Sequence, residues 1–108
     1  MTAQGERPFD WRRPDPTLPL QVAEVRVLDA MWTHASPSGL VAVGTRNLGI
    51  LSGAGRYSTV RYALRALAER GAIEHVERGS EGRPSVWRVR RSVDEVAAQV
   101  GVHGLVVL

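Results

Sequence analysis

The sequence predicts an α+β domain with a three-helix core, one short strand and a C-terminal β-hairpin. Three observations point to it. Apart from the run Leu40 to Val43, apolar residues recur at steps of three and four from Leu20 to about Arg70, the period of helices that bury one face. From Ala72 to Arg91 the period shortens to that of strands. Glycine and proline clusters fall between the periodic stretches, where the chain must turn. A length of 108 residues with 44% hydrophobic and 23% charged side chains fits one domain built on a single core.

Each element has its own local justification. Residues 1–19 hold Pro8, Pro14, Pro16 and Pro19 with Gly5 and balanced charges, and read as an extended arm. Phe9 and Trp11 in that arm are expected to pin it to the domain or to a second subunit, because large apolar residues seek burial. The first helix is expected from Leu20 to Ala35, with Leu20, Val22, Val25, Leu28, Met31, Trp32 and Ala35 on its apolar face. Thr17 is its candidate cap, with Pro19 in the first turn, and Ser36-Pro37-Ser38-Gly39 stops it. Leu40 to Val43 reads as a short buried strand.

Thr45 is the expected N-cap of a second helix ending at Ser52, with Leu48 and Leu51 turned inward. Gly53-Ala54-Gly55 breaks it. Ser58 and Thr59 start a third helix to about Arg70, whose apolar stripe is Val60, Ala63, Leu64 and Leu67. Gly71 is its C-terminal stop, a residue able to take positive φ. A strand over residues 72–78, with Ile73 and Val76 as its apolar members, and one over residues 85–91 flank the charged loop Gly79 to Pro84. In the second strand Trp87 and Val89 share one face, and Arg88 and Arg90 the other. Ser92 caps a last helix from Val93 to about Val100, and an apolar, glycine-punctuated tail follows. The domain proper is thus placed at residues 20–91, between the arm and a C-terminal element at 92–108.

Charge is distributed unevenly. All 14 basic residues are arginine. Residues 45–91 hold ten of them against Glu69, Glu74, Glu77 and Glu81, a local net of +6 in a chain whose total is +3. A solvated surface ordinarily mixes signs, so the asymmetry points to a polyanionic partner. Guanidinium groups suit that partner, since they grip phosphate and guanine with paired hydrogen bonds.

The third helix concentrates this chemistry. Ser58, Arg61, Tyr62 and Arg65 stand at i, i+3, i+4 and i+7, opposite the apolar stripe. Such a face can hold phosphates and read base edges, with arginine donating to guanine O6 and N7 in the major groove. Taken alone, the same face also fits a merely solvated helix. A second group is Thr45, Arg46 and Asn47, where helix N–H groups and a cation favour phosphate. Arg56, Tyr57 and Thr59 flank the turn and the helix start as further contacts, with plain capping or surface charge as the bland alternative. The hairpin tip from Arg78 to Arg83 is the third group. Arg83, in Gly82-Arg83-Pro84, is placed in a narrow minor groove, against the alternative of a solvated turn.

The stretch from Leu20 to Arg91 resembles the winged helix-turn-helix DNA-binding domain of bacterial regulators. TRNLGILSGAGRYSTVRYALRALAERGAIE looks like the second helix, turn, recognition helix and first wing strand, and EGRPSVWRVR like the return strand of the wing. The resemblance covers about two-thirds of the chain, and the glycine turn is slightly longer than in compact members. It implies sequence-specific binding of double-stranded DNA, with the recognition helix in the major groove and the wing on backbone or minor groove. The role implied is that of a transcription regulator, or of a plasmid or phage replication or partition factor.

Other chemistries lack their residues. There is no cysteine, so thiolate metal sites and thiol nucleophiles are excluded. Gly53 to Ser58 imitates a dinucleotide-binding loop but lacks the last glycine and follows a helix, and a phosphate loop of the Walker type needs a lysine. His34, His75 and His103 have no metal-ligand spacing, and no catalytic triad or carboxylate pair presents itself. No enzyme activity and no cofactor are expected. No membrane span or secretion signal is legible, so a cytoplasmic, nucleoid-associated protein is expected. A single small module covers roughly 600–1,000 Å² of interface, and symmetry commonly doubles it. The tail residues Val102, Leu105, Val106, Val107 and Leu108, with Phe9 and Trp11, are the expected homodimer contact, against the alternative that the tail adds a strand or helix to the domain's own core. The alternative to DNA is a protein-interaction module with an acidic partner, which the arginine-rich face disfavours because protein interfaces usually hold an apolar anchor.

Overall fold

The computed structural model describes residues 14–104, and side chains as far as residue 100. The arm residues Phe9 and Trp11 and the tail from Leu105 to Leu108 lie outside the described residues, as do the side chains of Val102 and His103. The architecture is α+β, as the change of period predicts. Its order is α1 (Val22–His34), β1 (Leu40–Ala42), α2 (Thr45–Ser52), α3 (Tyr57–Glu69), β2 (Ile73–Glu77), β3 (Val86–Val89) and α4 (Val93–Gly104). The strands form one antiparallel sheet in the order β1-β3-β2.

Helix α3 is the centre of the core. Its stripe Val60, Ala63, Leu64 and Leu67 is buried as expected, with Ala66 beside it. Gly71 ends it with φ +76, the conformation glycine adopts without Cβ strain, and the Ala72 N–H returns to the Leu67 carbonyl. Helix α1 packs across α3 with a face rotated from the expected one. Glu24, Val27, Leu28 and Met31 are buried, whereas Val22 and Trp32 are 68% and 49% exposed. The rotation follows from Glu24, whose polarity would assign it outward. It is drawn inward by Arg70, and the apolar stripe turns with it.

The cap of α1 also differs. Thr17 donates both its N–H and its hydroxyl to Asp15 Oδ1, at 2.9 and 2.6 Å, so it closes a local turn. These bonds hold the Asp15 carboxyl below its ordinary pKa. Gln21 is the N-cap without a side-chain bond of its own.

Helix α2 starts one residue earlier than expected: Gly44, not Thr45, is the N-cap, and Thr45 is already helical. Leu48 is buried as expected, but Leu51 is 50% exposed. Gly49 takes the inward place instead. A Cβ there would stand 3.1 Å from the Gly55 carbonyl and 3.3 Å from Val60 Cγ2, so glycine lets α2 close on α3. Arg26 of α1 donates to the Gly53 carbonyl at 3.0 Å and ties down the end of α2.

In the sheet, β3 is central. Val41 of β1 stands opposite Trp87, and His75 of β2 faces Trp87 from the other side. The rings of His75 and Trp87 stack at 4.0 Å between centroids and 9° between planes. The register skips Val76, so that Glu77 faces Val86. Val76 is therefore not a core residue of β2 but 45% exposed, because the irregularity removes it from the ladder. Ser92 caps α4 as expected: the Glu95 N–H donates to Ser92 Oγ at 3.2 Å, and the Ser92 N–H to Glu95 Oε1 at 2.8 Å. The helix continues past Val100 to Gly104, and Val96 packs into the core.

Candidate nucleic-acid interface

The outward side of α3 is built by the same period that builds its buried stripe. Ser58, Arg61 and Arg65 are exposed, and Tyr62 is half-buried. With Tyr57 these residues line a surface groove of about 260 Å³. The helix begins at Tyr57, one residue before the expected start, with Arg56 as its N-cap. Tyr57 therefore stands four residues before Arg61 on one helical face, and the Arg61 guanidinium lies over its ring, 5.7 Å from the centroid.

A second concavity, of about 450 Å³, opens between α2 and the start of α3. Thr45, Arg46 and Ile50 of α2 and its C-cap Gly53 line it, and Tyr57 closes it from α3. Tyr57 is thus a shared wall of both concavities. The arrangement joins Thr45 and Arg46 to Tyr57, Ser58, Arg61, Tyr62 and Arg65 along one side of the molecule. Ile50 was not among the residues expected here, although it is 74% exposed. Its spacing of four from Arg46 is the signal that marks it.

The remaining expected contacts are placed differently. Asn47 and Arg56 are exposed but line neither concavity. Thr59 is half-buried and faces the first turn of α1, sharing a cleft with Gln21, Ala23 and Tyr62. Arg78 and Arg83 are exposed on the β2–β3 hairpin. At its tip Ser80 and Arg83 exchange backbone hydrogen bonds of 3.0 and 2.9 Å, which fixes where the Arg83 side chain leaves the turn.

Three arginines of the basic segment are committed elsewhere. Arg70 is buried: its Nε donates to Glu24 Oε1 at 2.8 Å, and its two terminal nitrogens donate to the Pro16 and Pro19 carbonyls at 3.1 and 3.2 Å. Burial raises the Glu24 carboxyl above its ordinary value, against the opposing pull of Arg70 and of the Gln21 backbone N–H. Arg88 and Arg90 both lie against Glu74, at 3.6 and 3.0 Å. Glu74 is already counted in the local net, so only Glu24, outside residues 45–91, lowers that excess further, by one charge. The excess resides on α2, α3 and the hairpin tip, with Arg91 beyond β3 bonded to Gln99 of α4.

Among the described residues no three His, Asp or Glu side chains gather as a metal site needs, and no helix is long and apolar enough to cross a membrane. Compared with protein-family models, curated proteins and solved structures, the chain gives no match, so the arrangement of its own residues carries the functional reading.

Proposed function

We propose that this chain is a sequence-specific binder of double-stranded DNA with a winged-helix layout. In this reading α3 is the recognition helix, α2 crosses the backbone, and the β2–β3 hairpin is the wing. One observation carries it. Ser58, Arg61, Tyr62 and Arg65 line a single groove on the outward side of a helix whose opposite face is buried, and Arg46 of α2 continues the same side. An α-helix fits the major groove, arginine reads guanine there, and the N-terminus of α2 favours a phosphate. In this reading Arg78 and Arg83, exposed on the hairpin, follow the backbone or enter the minor groove. The biological role that fits is a transcription regulator or a replication or partition factor.

Fluorescence anisotropy of labelled duplex DNA, titrated across a salt series, tests the reading. Log K is expected to fall linearly with log salt, at about −0.9 per phosphate contact. Replacing Arg46 with alanine should weaken all duplexes alike and reduce that slope by about one. No binding at low salt would reject a DNA partner.

A second reading has one observation in its favour. Ile50 and Leu51 leave an apolar step exposed on α2, the kind of anchor a protein partner uses. Capture of an acidic protein by a chain that ignores DNA would support it. We propose also that the DNA-binding form is a homodimer, which doubles the footprint. Sedimentation at high micromolar concentration should give the dimer mass, and a monomer there would reject it.

A further inference from the structure

Tyr57 is a large ring left 56% exposed at the first position of α3. Hydrophobic burial does not account for its place. Its ring forms a wall of both concavities, and the guanidinium of Arg61 lies over it at 5.7 Å. Among the described residues no carboxylate lies within ion-pairing distance of Arg61. The aromatic face is thus what orients this side chain.

The kind of contact matters. A carboxylate would occupy the in-plane N–H donors of the guanidinium. A ring beneath it attracts the positive charge through the π face and leaves those donors unused. An arginine is also a long side chain with many rotamers, and ordering it before contact lowers what binding must spend on ordering it.

We infer that Tyr57 is a positioning residue for Arg61, holding its guanidinium on the outward side of α3 with its fork ready for the O6 and N7 atoms of a guanine. The inference rests on the reading of α3 as the helix that reads duplex DNA. It makes Tyr57 a determinant of base specificity that acts through Arg61.

The test starts from a duplex selected with the wild-type chain from a random pool. Wild type, Arg61→Ala, Tyr57→Phe, Tyr57→Leu and the Tyr57→Leu/Arg61→Ala double variant are titrated on that duplex and on each single base-pair replacement. Arg61→Ala should flatten discrimination at one G·C pair by roughly tenfold to a hundredfold. Tyr57→Phe keeps the ring and should leave discrimination unchanged. Tyr57→Leu keeps bulk at the helix start but removes the π face, and should lose about threefold to tenfold at that same base pair. In the Arg61→Ala background it should cost nothing more. A uniform loss over all duplexes, an equal loss in both backgrounds, or a Tyr57→Phe variant as poor as Tyr57→Leu would each overturn the positioning role while leaving DNA binding in place. A wild-type chain that binds no duplex removes the inference together with the reading beneath it.

Discussion

Replacing Arg70 with alanine is expected to destabilise the fold by about 3–5 kcal/mol, the usual consequence of stripping one partner from a buried ion pair. The side chains of Arg70 and Glu24 are only 4% and 6% exposed. Alanine would leave the Glu24 carboxylate desolvated with only the Gln21 backbone N–H in support, and would release the Pro16 and Pro19 carbonyls. A loss of that size is a large part of the 5–15 kcal/mol that holds a typical domain together.

The deficit has a pH signature. Burial already raises the Glu24 carboxyl, and loss of the guanidinium would raise it further. In the variant the folded chain then binds a proton more readily than the unfolded one, so its stability falls as the pH rises through that window and recovers as the pH falls. Urea unfolding of wild type and variant at pH 7 and near 4.5, the ordinary glutamate value, should show the gap narrowing at the lower pH. A gap below about 1 kcal/mol, or one independent of pH, would mean that the pair contributes no more than a surface bridge.

Binding is where the second large effect is expected. Alanine at Arg61 and at Arg65 should each cost about 1–3 kcal/mol on a preferred duplex, if each guanidinium is bidentate to a base. The loss should be specific: affinity for non-preferred duplexes falls far less, so the ratio between them collapses. Both residues are exposed on α3, and neither is needed for the buried stripe. For Arg61→Ala, circular dichroism and the urea midpoint should therefore stay close to wild type while binding falls. Equal affinity of wild type and the Arg61→Ala/Arg65→Ala variant on the preferred duplex would reject α3 as the reader, whatever else binds DNA.

Much of this surface was legible in advance because helical spacing constrains both sides of a helix at once. Once Val60, Ala63, Leu64 and Leu67 face the core, Ser58, Arg61 and Arg65 have no other direction to take. The same logic failed on α1 and α2. Hydrophobic pattern alone placed Trp32 and Leu51 inward, yet the core accepted Glu24 and Gly49 in preference. A buried carboxylate and a glycine at a close approach carry no apolar signal. The start of α3 at Tyr57 was equally hidden, and with it the stack on Arg61. No side chain caps that end, so nothing local marked the boundary.

The order and kind of the elements, the buried stripe of α3, the stop at Gly71 and the cap at Ser92 can be read along the chain. All of these are written within a turn or two of chain, where period, capping and turn chemistry act. Packing settles the rest: that β1 pairs with β3, which face α1 buries, and that Arg70 serves the core. Arg70 meets a carboxylate 46 residues away, and local pattern holds no record of a partner so distant. Burial makes that pairing strong, and burial exists only once the helices have packed.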